Sequence, residues 1–233
     1  MLSKKEFLDQ SALIHAVVGS MIELIVDTLS SKASFHLALA GGEVGGEIAE
    51  QLALRINDDN ENFDGLHIWW SDERFLAHDS PERNCYPFLA SLNSHSAVHV
   101  HEASALDSNL DVQTAAKRYS ADLSGIDMDL TLLSVGIDGH VASLFPQIWN
   151  QTATIDVIPV LNAPKPPSQR ISFSLTKINA SNRVWLLGSG SAKREILARL
   201  MLGDQAIPAA FVCGKQETLL FTDVQLIDSV DRE

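Results

Sequence analysis

Cysteine is nearly absent from this chain of 233 residues: Cys85 and Cys213 are the two it has, and they stand in no C-x-x-C or metal-type spacing. This excludes a disulfide framework and makes a reducing, cytoplasmic setting the expectation. Cationic residues are also scarce. The 17 Lys and Arg face 30 Asp and Glu, a formal net charge of −13, which argues against a general nucleic-acid or anionic-membrane surface. Aromatic residues are only 6%, and the four tryptophans have no basic neighbours in a base-stacking pattern. No Pro/Gly/Ser-rich linker, low-complexity block or internal repeat divides the chain, so residues 1–233 read as one domain. The opening M-L-S-K-K-E-F-L-D-Q leads into an amphipathic rather than a uniformly apolar pattern, so neither a signal peptide nor a membrane span is expected.

What is present is a 45% hydrophobic chain, enough to bury a large core. Ile14, Val18, Met21, Ile25 and Leu29 step by three and four, predicting a long first helix with one apolar stripe. Strands are predicted at 35–40, 66–70, 130–135, 157–160, 171–175, 184–187, 209–212 and 219–222. Helices are predicted around Ile48, Leu52 and Ile56, through 86–92 and 112–123, and from near Ser191 through Met201. Strands alternating with helices over the whole length predict an α/β fold, a doubly wound, mainly parallel sheet of modified Rossmann-like order.

The segment most informative for chemistry is 133–146, L-S-V-G-I-D-G-H-V-A-S-L-F-P. A buried apolar strand runs into two glycines, Gly136 and Gly139, with Asp138 two positions before His140. Parallel α/β sheets bind ligands at the carboxyl ends of their strands, which is where this loop emerges. An Asp beside an imidazole fixes its tautomer and leaves the other ring nitrogen free to take a proton. A lone loop histidine is nonetheless more often structural, and D-G is a common turn pair.

Three further groups are candidates for anion binding. Gly41, Gly42, Glu43 and Val44 begin a glycine-rich stretch between a strand and a helix, where backbone N–H groups and the helix dipole favour negative charge. A plain tight turn is the competing interpretation. Asp72-Glu73-Arg74 follows an apolar strand and reads as a loop on the same sheet edge as His140, although charged runs are usually solvated turns. Lys193 follows Gly188-Ser189-Gly190-Ser191-Ala192 in the first turn of a helix, an unfavourable place for a cation unless an anion offsets it. The cluster of Pro164, Pro166 and Pro167 reads as a short loop. His15, His36, His67, His78, His95, His99 and His101 lack comparable context, and the His99/His101 pair has no carboxylate or Cys spacing to make a metal site.

Taken whole, G-x-D-G-H-x-A-S-L-F-P resembles the signature of the 6-phosphogluconolactonases. So do W-S-D-E-R-F-L-A-H-D-S-P-E-R-N at 70–84 and the stretch from R-I-S-F-S-L at Arg170 to G-S-G-S-A-K at Lys193, in the same order. The resemblance implies hydrolysis of 6-phospho-D-glucono-1,5-lactone, a sugar-phosphate lactone, in the pentose phosphate pathway. It implies no cofactor and no metal, and a monomer or homodimer. It also implies His140 and Asp138 as catalytic residues, Arg74 facing the substrate and Asn84 fixing or capping a loop. In the wider superfamily the positions of Arg170 and Lys193 resemble phosphate ligands. The chain departs from the family's S-G-G-S-T-P loop, since Ala40, Glu43, Val44 and Gly45 replace both serines, the threonine and the proline. Only main-chain phosphate binding carries over there. A glucosamine-6-phosphate deaminase has a similar motif but with a Glu in a segment that here reads Ala142-Ser143-Leu144-Phe145-Pro146. A non-catalytic sugar-phosphate sensor is the alternative from another class, favoured slightly by Glu43.

Overall fold

The computed structural model describes residues 2–58, 61–94 and 96–226. His95 therefore lies outside the described residues, as does the end of the expected domain. The strands are β1 (Leu2–Glu6), β2 (Phe35–Leu39), β3 (Leu66–Trp70), β4 (Asp72–Arg74), β5 (His99–Val100), β6 (Leu130–Ser134), β7 (Val157–Val160), β8 (Arg170–Phe173), β9 (Arg183–Gly188) and β10 (Glu217–Thr222). The α-helices are α1 (Gln10–Leu29), α2 (Gly42–Asn57), α3 (Tyr86–Ser91), α4 (Val112–Asp122), α5 (Leu175–Asn179) and α6 (Arg194–Met201).

Seven strands form one parallel sheet in the order β1-β10-β9-β6-β2-β3-β5. Alternate residues face opposite sides. Ala38, Trp69, Leu133, Leu186 and Leu220 pack with Ala116 and Tyr119 of α4 and with Leu197 of α6. Their neighbours Leu37, Trp70, Leu132, Leu187 and Phe221 pack with Val17 and Met21 of α1, Leu52 of α2 and Phe88 of α3. The result is the expected doubly wound, three-layer α/β fold. By length and composition α1 would cross a membrane, but Leu13, Val17, Met21 and Ile25 are fully buried against the sheet, so here it is a core helix. Side-chain caps fix the starts of α1 and α4: Asp9 accepts from Ala12 N at 2.8 Å and Asp111 from Thr114 N at 2.7 Å.

Strand order reverses between β2 and β6, since β2 leads outward to β3 and β5 while β6 leads the other way to β9 and β10. This is the topological switch point of the sheet, and the loops after β2 and β6 leave it side by side. Ser134 Oγ ties them together by donating to Gly41 O at 2.8 Å.

Several elements differ from their sequence expectations. Residues 72–74 form not a loop but the edge of a small antiparallel sheet, β4-β8-β7, which also takes 157–160 and 170–173 away from the main sheet. Residues 208–211 form a 3-10 turn rather than a strand. Pro208 cannot donate to a ladder, and the next residue, Ala209, donates to Gly139 O at 3.0 Å, bracing the Asp-Gly-His loop from below. The helix expected from Ser191 begins as a 3-10 turn, Ser191–Lys193, so Lys193 sits at the junction with α6.

Candidate active site

The carboxyl edge of the sheet carries a cleft lined by Ala40, Gly41, Gly42, Ser71, Asp72, Arg74, Asn84, Ser134, His140, Ala142 and Arg170, with a volume of about 90 Å³. It gathers three separate sequence motifs around one imidazole.

His140 is the centre. Its Nδ1 is hydrogen-bonded to Asp138 Oδ1, and its ring packs against Phe145 at 4.6 Å between centroids. With Nδ1–H donated to the carboxylate, Nε2 is the nitrogen left free to accept a proton. Burial lowers the His140 pKa below 6.5, while the hydrogen bond and charge of Asp138 oppose that fall. The ring is therefore neutral at neutral pH. Burial also acts to raise the Asp138 pKa, but the His140 hydrogen bond and charge win and hold it below its ordinary value, so the carboxylate stays ionised. Gly136 makes this contact possible: a Cβ there would lie 2.0 Å from His140 Nδ1.

Asp72 and Glu73, adjacent in sequence, do different work. Both are buried, so this charged run is not a solvated turn. Glu73 accepts from the backbone N–H groups of Arg74, Asn84 and Cys85 at 2.7, 2.6 and 3.0 Å, closing the 74–84 loop on itself. Burial raises its pKa, which Arg83 and these bonds counter. Asp72 instead organises the cleft. It accepts from Ser143 Oγ at 2.6 Å and from Asn84 Nδ2 at 3.0 Å, and lies 3.8 Å from Arg170 Nη1. Asn84 in turn presses against Gly41, where a Cβ would come within 2.0 Å of its Oδ1.

The cations surround this network. Arg74 is half-buried in the cleft wall; Nη1 donates to Glu82 O, and Nε is buried without a hydrogen-bond partner. Arg170 is buried, its guanidinium 5.4 Å above the Phe145 ring, with Nε donating to Pro167 O and Nη2 to Lys165 O and Pro166 O. Among the described residues Lys193 forms no ion pair within 4.0 Å, and burial, countered by Asp223, lowers its pKa. Gly41 is the N-cap of α2 with no side-chain cap bond, and Gly42 takes the left-handed φ of 84°. Glu43 is exposed in the first turn while Val44 is buried. Gly41 and Gly42 are the residues by which this loop lines the cleft.

Ser134 lines the cleft and Ser143 hydrogen-bonds Asp72, a cleft residue, and neither had been singled out as a site residue. Asp72 and Ser143 stood inside the motif stretches, but a hydrogen bond between residues 71 apart in sequence leaves no local pattern. Among the described residues no group of three or more His, Cys, Asp or Glu is arranged to hold a metal ion. His99 and His101 instead join a stack with His67, His36 and Trp69 that runs along β2, β3 and β5.

Residues 8–221 match the family described as glucosamine-6-phosphate isomerases/6-phosphogluconolactonase. A 6-phosphogluconolactonase of Streptomyces coelicolor is 35% identical, covering 92% of this chain and 89% of that protein. One of Mycobacterium leprae is 30% identical over 93% and 94%. The crystal structure of 6-phosphogluconolactonase from Thermotoga maritima aligns with a TM-score of 0.80 at 25% identity, covering 95% of this chain and 98% of that one. A monomeric glucosamine-6-phosphate deaminase aligns at 0.76 with 19% identity, a likeness of fold alone.

Proposed function

The chain belongs to the glucosamine-6-phosphate isomerase/6-phosphogluconolactonase family, and from that premise we propose that it is a lactone hydrolase converting 6-phospho-D-glucono-1,5-lactone to 6-phosphogluconate in the pentose phosphate pathway. The observation that carries the reading is the His140–Asp138 pair at the sheet's switch point, with one ring nitrogen held and the other free. Water attacking the lactone carbonyl gives its proton to Nε2 of neutral His140. The ionised Asp138 offsets the charge of the imidazolium so formed. Collapse of the tetrahedral intermediate breaks the bond to the ring oxygen, and His140 returns the proton to that leaving oxygen. Arg74, with its unpartnered Nε, faces the developing oxyanion or the phosphate. Lys193 and the N–H groups of residues 41–44 hold the phosphate and so position the carbonyl for attack. The enzyme works in the cytoplasm, as a monomer or homodimer, without a redox cofactor.

The absence of the deaminase's Glu from residues 140–146 favours hydrolysis over isomerisation, which needs more acid/base groups. The deciding experiment generates the lactone in situ and measures hydrolysis above the spontaneous rate for the wild type and for His140→Asn. A positioned general base contributes roughly 10²–10⁴-fold, so the folded variant should lose most turnover. Wild-type turnover in that variant would remove His140 from the role of base. Sugar-phosphate binding without any turnover by the wild type would favour a sensor.

A further inference from the structure

The loop joining β7 to β8, residues 161–169, has no part in the chemistry above, yet it is folded onto the site. Ala163 N donates to Ser168 O at 2.9 Å and closes the loop on itself. Arg170 then fastens it: Nε donates to Pro167 O at 3.1 Å, and Nη2 to Lys165 O at 3.1 Å and to Pro166 O at 3.2 Å. Nη1 is turned to Asp72. Every nitrogen of this guanidinium is thus directed at a protein group. Because the guanidinium lies over Phe145 and Phe145 lies against His140, the loop is anchored two contacts from the catalytic ring.

At the tip of this loop Lys165 is exposed and, among the described residues, makes no ion pair within 4.0 Å. Its charge nevertheless reaches both His140 and Lys193, disfavouring protonation of each. Lys193 in turn is within electrostatic reach of Glu43 in the first turn of α2. Lys165, on the loop that Arg170 holds beside the cleft, and Lys193 are thus within electrostatic reach of each other in a chain of net charge −13, and among the described residues neither is held by a carboxylate at ion-pair distance. Like charges grouped this way are unfavourable until a multiply charged anion sits between them.

We infer that Lys165 is a phosphate-binding residue, closing on the substrate's 6-phosphate opposite Lys193, and that Arg170 acts as a positioning residue that clips the Lys165 loop in place. The inference rests on the lactonase reading for the identity of the ligand. It gives Arg170 a role through Lys165 in place of direct contact with phosphate.

The test uses Lys165→Ala, Lys165→Arg, Arg170→Gln and the double variant Lys165→Ala/Arg170→Gln, checked for folding by circular dichroism. Lys165→Ala should raise KM for the phosphorylated lactone about tenfold or more, as expected for loss of a charge-assisted contact, with a much smaller change in kcat. It should affect unphosphorylated gluconolactone far less, and Lys165→Arg should recover most of the loss. Arg170→Gln should raise KM in the wild-type background and add little in the Lys165→Ala background. Calorimetric titration with 6-phosphogluconate and with inorganic phosphate should show the same weakening without relying on turnover. Unchanged KM and unchanged binding in Lys165→Ala would overturn the inference while leaving the lactonase reading intact. An Arg170→Gln penalty undiminished in the double variant would make Arg170 itself the ligand. A wild type inactive on the lactone would defeat the lactonase reading, and the titrations would still decide on Lys165. If Arg170→Gln does not fold, the Lys165 variants alone decide.

Discussion

Replacing Gly136 with alanine should disable the site without removing any group that does chemistry. Gly136 does not adopt a left-handed φ, so alanine is tolerated by the backbone there. The hydrogen bonds Gly136 N to His140 O and Gly139 N to Gly136 O, both 2.9 Å, use main-chain atoms only and survive. The added Cβ, however, would stand 2.0 Å from His140 Nδ1, 2.1 Å from Cε1 and 2.8 Å from Asp138 Oδ1. Ordinary contact needs about 3.4 Å or more, so the ring must retreat by more than ~1 Å, and a misplacement of that size costs on the order of 10²-fold in rate. Overpacking by one methyl also costs about 1–3 kcal/mol, roughly 2–12 °C in Tm for a domain of this size. The expected result is a folded protein with kcat down by about two orders of magnitude and KM nearly unchanged, because the proposed phosphate contacts are elsewhere. Gly19→Ala, in α1 with nothing within 4 Å of the added atom, is the control and should keep full activity. Wild-type turnover in folded Gly136→Ala would show that the tight Gly136–His140–Asp138 geometry is not needed for the reaction.

Because burial depresses the His140 pKa against the pull of Asp138, the acid limb of kcat/KM should fall at a pH below the ordinary ~6.5 of histidine, with a plateau above it; a limb above 6.5 would mean that Asp138 outweighs burial. Glu43→Ser should change KM for the phosphorylated lactone by less than about tenfold, or ~1.4 kcal/mol, since the Glu43 side chain is exposed; a much larger tightening would place its carboxylate in the pocket and move the sensor or altered-substrate reading ahead. The histidine stack should make the fold acid-labile. His36 is lowered from 6.5 to about 4, first by burial and then by His67, with Lys32 and His101 adding to the fall and Asp129 opposing it. His101 is lowered to about 4 by burial, then His67 and His99, against Asp122. The folded state therefore resists protons that the unfolded chain accepts below ~6.5, so stability is lost as pH falls from there towards ~4. Both rings are partly exposed, and solvent screening reduces the effect to about 1 kcal/mol each. Urea denaturation at about pH 7.5 and 5 should show this loss diminished in His36→Gln/His101→Gln, and an equal loss in both proteins would refute it.

How far the sequence reveals this site follows from which contacts are local. The Asp138–His140 pair lies two residues apart within one strand-end loop, so both its place at the sheet edge and its pairing are readable from 133–146 alone. Strand type along 35–39, 66–70 and 130–134 is readable for the same reason, since each is an apolar run flanked by turns. The small sheet is not: Asp72–Arg74 looks like a charged turn because its burial comes from β8, about a hundred residues later, where Arg74 pairs with Arg170. The Pro208–Phe211 turn looks like a strand because it is apolar, but Pro208 and Ala209 are buried against the Asp-Gly-His loop rather than in a ladder. Arg170 shows the limit most clearly. Its position in a motif marks it as important, but whether a guanidinium binds a ligand or a loop depends on where carbonyls 165–167 fall, and that is decided by packing between β7 and β8 rather than by any pattern near residue 170. Motif position therefore tells which residues reach the site, and only their hydrogen-bond partners tell which of them remain free to hold a substrate.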